Sequence, residues 1–332
     1  MFHKKYQSTM ILFLLTMQYM TMLAQVNAIT YELPSGRFGE NVLAWAMAKW
    51  ISHKYKMQLL YKPFDYSDQL KLHKTNYTFD RMYKKYVQQK RIVLENEREF
   101  TNNSSTLYSI NYFHVHLEEW CTYDEGNVLK SNEAAIIEEL KQHIQPLVPF
   151  DPLPLPANTI TIALHVRKGG GFDLPLLSDN PPEETLPPQQ RERYDDVRFP
   201  LKFPPDHYYI AQVAYLAEFF KDQKLYVHIF TDDKNPAALA DRYAAALNNE
   251  RISFGYRTSG NAHDAQVVED FVALGQFDCL IRPDSAFSKA AQLLGNYKVI
   301  IYPASYTWHG NRLEITKVTI QMQTVAQDMH LF

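Results

Sequence analysis

Cysteine is nearly absent: Cys121 and Cys279 are the two in 332 residues. That excludes a disulfide framework and a four-cysteine zinc site. An excess of positive charge is also lacking. Lys and Arg number 34 against 37 Asp and Glu, a net charge of −3, so the chain has no footprint of a general nucleic-acid binder. No repeat of short period is present. The longest apolar run, Met10 to Ala24, is short for a membrane span, which takes about 20 residues. What remains is the composition of a folded globular protein, rich in Tyr (22) and Phe (19), and long enough for two domains of ordinary size.

The N-terminus has the grammar of an export signal. His3, Lys4 and Lys5 precede the apolar run, and Val26-Asn27-Ala28 offers small residues for cleavage. Residues 1–28 are expected to be a signal peptide or signal anchor, the second giving membrane attachment through residues 10–24. Either places the protein in the secretory pathway or cell envelope, secreted or anchored. A mis-assigned start codon would instead leave a cytoplasmic product. Sequons stand at Asn76, Asn102 and Asn103, meaningful only in a eukaryotic secretory lumen.

The organising stretch is Thr159 to Asp173. Apart from His165, Ile160 to Val166 is filled with β-branched and apolar residues, as a strand covered on both faces requires. It runs into Arg167, Lys168 and three glycines, residues 169 to 171. Glycine lets backbone N–H groups approach a ligand closely, and the two cations add charge at the same point. A strand end of this kind suits a phosphate or diphosphate; the alternative is a surface turn with two solvated cations. It is neither a Walker loop, since no Gly-Lys-Ser/Thr follows, nor the dinucleotide G-x-G-x-x-G pattern.

Before it, Ile29 to Leu33 is expected as a strand, Val42 to Tyr55 as a helix with Val42, Leu43, Ala46, Met47 and Trp50 on its apolar face, and Met57 to Tyr61 as the next strand. The intervening loop delivers Arg37, Gly39, Glu40 and Asn41 to the helix N-terminus. This is the seed of a doubly wound sheet. Asp65 to Arg98 is expected to be helical and surface-lying. Leu107 to Leu117 is expected as a strand with His114 and His116 on one face; without a third ligand of clear spacing they are read as polar positions and no metal site is assigned. Asn132 to Ile144 is expected as a helix. The proline-rich stretch from Gln145 to Pro156 marks the domain boundary, giving an N-terminal domain over 29–150 and a C-terminal one over 151–332.

In the second half, Phe172 to Pro205 is a long proline-rich excursion, a lid, an acceptor loop or a disordered segment. A helix capped by Asp206 follows, running to Lys221. Then come a strand at Leu225 to Phe230, a helix started by Pro236, strands near Arg251 to Phe254 and at Cys279 to Ile281, helices at Val267 to Leu274 and Lys289 to Leu294, and a closing strand at Val299 to Tyr302. Three strand-to-helix junctions carry chemistry: His165 with Arg167, Asp232 with Asp233, and Ser285 with Ser288. In a parallel sheet all three fall on one edge, where ligands bind. Arg167 suits a diphosphate bidentately, the Ser285 to Ser288 turn a second phosphate, and Asp232 or Asp233 a ribose or base edge. Each junction alone is weakly specific, since Asp232-Asp233 and Ser285 also serve as helix caps.

Three blocks, in this order, resemble the GDP-fucose-dependent fucosyltransferase superfamily, which includes the α-1,2 and α-1,6 enzymes and the protein O-fucosyltransferases. They are Gly36 to Asn41, His165-Val166-Arg167, and Glu269 to Ser288 with its Asp284-Ser285-Ala286-Phe287-Ser288 ending. The resemblance implies an α/β, GT-B-like architecture of two Rossmann-like doubly wound domains facing across a cleft, acceptor side first. It implies a glycosyltransferase moving fucose from GDP-fucose, with inversion and without a metal or other cofactor, to a hydroxyl of a glycan or glycoprotein acceptor. Arg167 would hold the β-phosphate and the leaving-group charge, with Lys168 assisting. His165 would support the donor site, Asp232 or Asp233 would sit near guanosine, and Ser285, Phe287 and Ser288 would line the phosphate–ribose pocket. Glu40 and Asp173 are the candidates for the base. Glu40 stands where the family has Asn, Ala286 replaces a Ser, and Lys168 to Gly171 replace the commoner R-x-D. The alternatives are another nucleotide sugar on the same fold and a non-catalytic carbohydrate-binding or surface protein.

Overall fold

The computed structural model describes residues 27–34, 36–75, 77–79, 90–94, 106–111, 131–168, 200–258, 265–309 and 312–322. Residues 1–26 of the expected signal segment, the sequon asparagines, His114, His116, Cys121, Asp173 and most of the proline-rich excursion lie outside the described residues, while Ala28, the last residue of that expected segment, opens the first strand. Among the described residues no helix is long and apolar enough to cross a membrane.

The chain divides into two compact units. Described residues up to 111 fall in the first with Glu138–His143, and those from Ile144 onward fall in the second. The first unit is built on a five-stranded sheet. Its strands are β1 (Ala28–Tyr31), β2 (Gln58–Tyr61), β3 (Tyr77–Thr78), β4 (Lys90–Leu94) and β5 (Thr106–Ile110), in the order β3-β2-β1-β5-β4. Every pairing is parallel. Helix α1 (Phe38–Tyr55) makes the crossover from β1 to β2. Val42 to Ala48 are all buried, Ala44, Trp45 and Ala48 as well as the expected face, while Trp50 is half-exposed. The small alanines let this helix be covered on nearly all sides over its first three turns, so an amphipathic stripe understates its burial. Lys56 closes it in the left-handed region, φ 52°.

The described residues of the stretch 65–98 depart from its helical expectation, and the rest of it lies outside the described residues. They hold a 3-10 turn (Ser67–Gln69), a one-turn helix α2 (Leu72–Thr75), and the edge strands β3 and β4. The charge of Lys90, Arg91 and their neighbours misled, because edge strands carry charge to discourage pairing with other chains. Helix α3 (Ser131–His143) falls near its expected bounds.

The second unit holds β6 (Ile160–Val166), β7 (Leu225–Thr231), β8 (Ile252–Tyr256), β9 (Cys279–Ile281), β10 (Val299–His309) and β11 (Arg312–Met322) in the order β11-β10-β9-β6-β7-β8. All pairings are parallel except the β10–β11 hairpin. Helices α4 (Asp206–Phe219), α5 (Pro236–Leu247), α6 (Val267–Leu274) and α7 (Ala286–Ala291) alternate with the strands. Pro236 opens α5, with Asn235 as its cap accepting from the Ala238 amide at 3.1 Å. All seven residues of β6 are buried, and its apolar side chains share one core with those of α4, β7, α5 and β9. The closing strand runs eleven residues rather than four, and the antiparallel β11 was not foreseen. Its Thr, Lys and Gln content reads as loop, but β10 supplies the backbone partner.

Chain order and sheet order together locate the functional edge. From β6 the chain winds outward through β7 and β8, then returns to β9 on the other side of β6. The direction of winding therefore reverses between β6 and β9, and the carboxyl ends of those strands flank a crevice.

Candidate functional site

The carboxyl ends of β6, β7 and β9 bring together Arg167, Lys168, Asp232, Arg282 and Ser285, with His165 one turn of pleat below. His165 is buried, and its ring stands 5.7 Å from that of Phe287, which in turn stands 5.9 Å from Phe271. Phe287 is thus a wedge between the strand end and α6. Burial lowers the pKa of His165; Asp232 pulls it up and the Arg282 guanidinium pushes it further down, and burial prevails. The imidazole is neutral at neutral pH. Its Nδ1 is buried and has no hydrogen-bond partner among the described residues.

Arg167 is buried at 9% exposure, with its guanidinium 5.6 Å from the centroid of the Phe203 ring. Phe203 follows the 3-10 turn Pro200–Lys202, and the Leu201 carbonyl accepts from the Asp284 amide at 2.9 Å. That contact ties the returning chain to the β9–α7 junction. Asp232 accepts the Lys168 amide on Oδ1 at 2.6 Å, while its Oδ2 is buried and has no partner among the described residues. A buried carboxylate oxygen without a donor costs about 1–3 kcal/mol or more, so its retention points to a donor supplied by a ligand or water.

Three of the expected residues have other engagements in this geometry. Asp233 is half-buried, and its Oδ1 accepts the Asn235 amide at 2.8 Å. Ser288 is fully buried and donates to the Ser285 carbonyl at 3.4 Å, so it supports the junction from behind. Asp206 does not cap α4, whose cap is Pro205; it binds Lys168, Arg242 and Tyr243 instead. Ser285 precedes α7 in extended backbone and is 2% exposed, its amide bonded to the Pro283 carbonyl at 2.9 Å. Its hydroxyl makes no cap contact with the helix.

Sequence reasoning passed over Arg282. It is 1% exposed, with its guanidinium 4.2 Å from the centroid of the Tyr302 ring, Nε donating to Gln292 at 3.0 Å and a terminal nitrogen donating to the Pro283 carbonyl at 3.2 Å. An arginine directly after a three-residue apolar strand was the available signal. It braces the β9–α7 junction and adds positive potential beside His165.

In the first unit, Arg37 precedes α1 in extended backbone, and its carbonyl accepts the amides of Glu40 and Asn41. Asn41 is buried, its Nδ2 donating to the Gly36 carbonyl at 3.2 Å and its Oδ1 without a partner among the described residues. Gly39 is buried within the first turn. The Glu40 carboxylate folds back on Gly36, where an added Cβ would lie 1.5 Å from Oε2. Glycine at 36 thus leaves room for that carboxylate. Among the described residues no group of three or more metal-ligating side chains exists.

No family model matches the chain, and no curated protein matches it. Solved structures do. The NodZ α-1,6-fucosyltransferase soaked with GDP-fucose is similar at 14% identity and a TM-score of 0.36, over 90% of this chain and 99% of that one. NodZ from Bradyrhizobium matches over the same shares at 14% identity and a TM-score of 0.38. POFUT1 in complex with GDP-fucose matches at 12% identity and a TM-score of 0.38, over 82% of this chain and 95% of that one. At this distance the likeness adds nothing to the residue-level chemistry, which stands on the sheet edge itself.

Proposed function

We propose that the protein is an inverting glycosyltransferase that moves fucose from GDP-fucose to a hydroxyl of a glycan or glycoprotein acceptor, with the second unit holding the donor. The observation that carries this is the set of buried polar groups at the reversal of strand order. Arg167 directly follows β6 and Asp232 directly follows β7; Asp232 Oδ2 and the Nδ1 of His165 are buried and have no partner among the described residues. A guanidinium suits the diphosphate and the charge that develops on it as the sugar leaves. A fixed carboxylate oxygen suits an N–H or O–H of the nucleoside. The neutral His165 adds no charge that would compete for the phosphate. Glu40, in the first turn of α1, is the candidate base within the described residues, and Asp173 is the other candidate; inversion needs one of them near the acceptor hydroxyl. The resemblance to fucosyltransferases selects fucose as the sugar and implies transfer without a metal, with Arg167 taking the leaving-group charge.

The test is thermal unfolding of the full chain with GDP, UDP and GDP-fucose. At a ligand concentration near 100 Kd the expected stabilisation is about 2.7 kcal/mol, seen with GDP and GDP-fucose and not with UDP. Stabilisation by UDP instead would replace the donor, and stabilisation by none would favour a binding protein without transferase activity.

A further inference from the structure

Lys168 was expected to lend its charge to the phosphate, yet it is held at both ends by carboxylates. Its ammonium lies 2.5 Å from Asp206 Oδ1, and its backbone N–H donates to Asp232 Oδ1 at 2.6 Å. Asp206 is the first residue of α4, Asp232 follows β7, and Lys168 stands two residues beyond β6. Three elements are therefore joined through one residue. Asp206 is itself fixed from α5: it accepts the Tyr243 hydroxyl at 2.9 Å on Oδ1 and Arg242 at 3.1 Å on Oδ2. Tyr243 stacks on Tyr209 at 6.5 Å between ring centroids, and the fully buried Tyr209 hydroxyl has no partner among the described residues.

We infer that Lys168 and Asp206 form a latch that sets the strand end and aims Asp232, and that both are positioning residues rather than phosphate ligands. The latch rests on the sugar-nucleotide function only for its ligand. The ammonium and carboxylate are about two-thirds covered, at 29% and 31% side-chain exposure, so the pair is shielded from solvent more than an open surface pair is. To reach a phosphate the ammonium would have to leave a carboxylate that two further donors already orient. What Lys168 gives the site is geometry. Its amide occupies Asp232 Oδ1, which leaves the buried Oδ2 as the carboxylate oxygen without a partner among the described residues.

The latch and the phosphate-ligand role make opposite predictions for one substitution. Asp206→Asn frees the ammonium. A phosphate ligand so released binds GDP more tightly, whereas a broken latch binds it more weakly. Isothermal titration of the full chain with GDP is expected to show about five- to tenfold weaker binding for Asp206→Asn and for Lys168→Met. The double variant should be no weaker than the worse single one, and Asp206→Glu should recover part of the loss. Tighter GDP binding by Asp206→Asn overturns the latch, as does a double variant weaker by the product of the two single losses. Urea unfolding of the wild-type protein, Asp206→Asn, Lys168→Met and the double variant supplies a readout without ligand. The latch requires the two substitutions to be non-additive, by about threefold or more in the folding equilibrium, and strict additivity overturns it. If the wild-type protein binds no GDP, the sugar-nucleotide function falls while the unfolding cycle still decides the latch.

Discussion

The two sheets share a winding pattern and differ in what stands at the reversal of strand order. In the first unit that point lies between β1 and β5, and it holds Glu32. Its carboxylate pairs with Lys62 at 3.1 Å and with Arg91, and it accepts from the Ser109 hydroxyl at 2.5 Å. Burial alone would raise the Glu32 pKa, but Ser109, Lys62 and Arg91 outweigh it and hold it below the ordinary carboxylate range. Both Glu32 carboxylate oxygens are engaged. In the second unit the equivalent edge keeps Asp232 Oδ2 and His165 Nδ1 buried and without partners among the described residues. The first unit also leaves Asn41 Oδ1 without a partner among the described residues, so the contrast lies in the carboxylates: Glu32 is fully paired, while Asp232 keeps an open oxygen where the ligand is proposed to bind.

The sharpest way to break this contrast is at Arg167. Arg167→Ala is expected to remove the stabilisation by GDP altogether, a loss of about 2.7 kcal/mol at 100 Kd. Arg167→Lys, which lacks the bidentate fork, is expected to recover little of it in the same thermal-shift series. Next is Asp232→Asn, which keeps an acceptor for the Lys168 amide and puts a donor or a poorer acceptor at the second position. GDP affinity should fall roughly 10- to 100-fold, the worth of about 1.5–3 kcal/mol for a hydrogen bond to a charged group, while the melting temperature without ligand should change little.

A third effect comes from two buried histidines. Burial lowers the pKa of His228 to about 4, with Arg257 adding to the shift, and His165 is lowered in the same sense. In the unfolded chain both titrate near 6.5, so the unfolded state takes up protons first as pH falls. Stability should therefore drop from about pH 6.5 toward pH 4, by on the order of 3 kcal/mol for His228 at about 1.4 kcal/mol per pKa unit. Urea midpoints measured across that window are expected to fall steeply, and less so for His228→Asn. The smallest effect belongs to the satisfied edge. Glu32→Gln should cost about 1 kcal/mol of stability, because the carboxylate is half-exposed and screened, and should leave GDP affinity unchanged. A large loss of affinity there would mean that the first crevice also takes part in binding the nucleotide.

Much of the second unit was legible because its strands are apolar runs bounded by turn residues. Ile160–Val166, Cys279–Ile281 and the helix Val267–Leu274 fall at their expected bounds. What escaped was decided by partners distant in sequence. Lys90–Leu94 is a strand because Thr106–Ile110 pairs with it, and Arg312–Met322 is one because Val299–His309 does. At the candidate site, the placement of Arg167, Asp232 and Ser285 on one sheet edge was legible because each comes after a strand, and His165 is the penultimate residue of β6. The engagement of Lys168 by Asp206, 38 residues away, and the burial of Arg282 against Tyr302 depend on helix placement that no local pattern encodes.

The most direct measurement is a calorimetric titration of the full chain with GDP, run in parallel on the wild-type protein and on Arg167→Ala. Saturable binding by the first and none by the second is the expected result. Equal binding by both, with Arg167→Ala folded, would contradict the assignment of this sheet edge to a diphosphate.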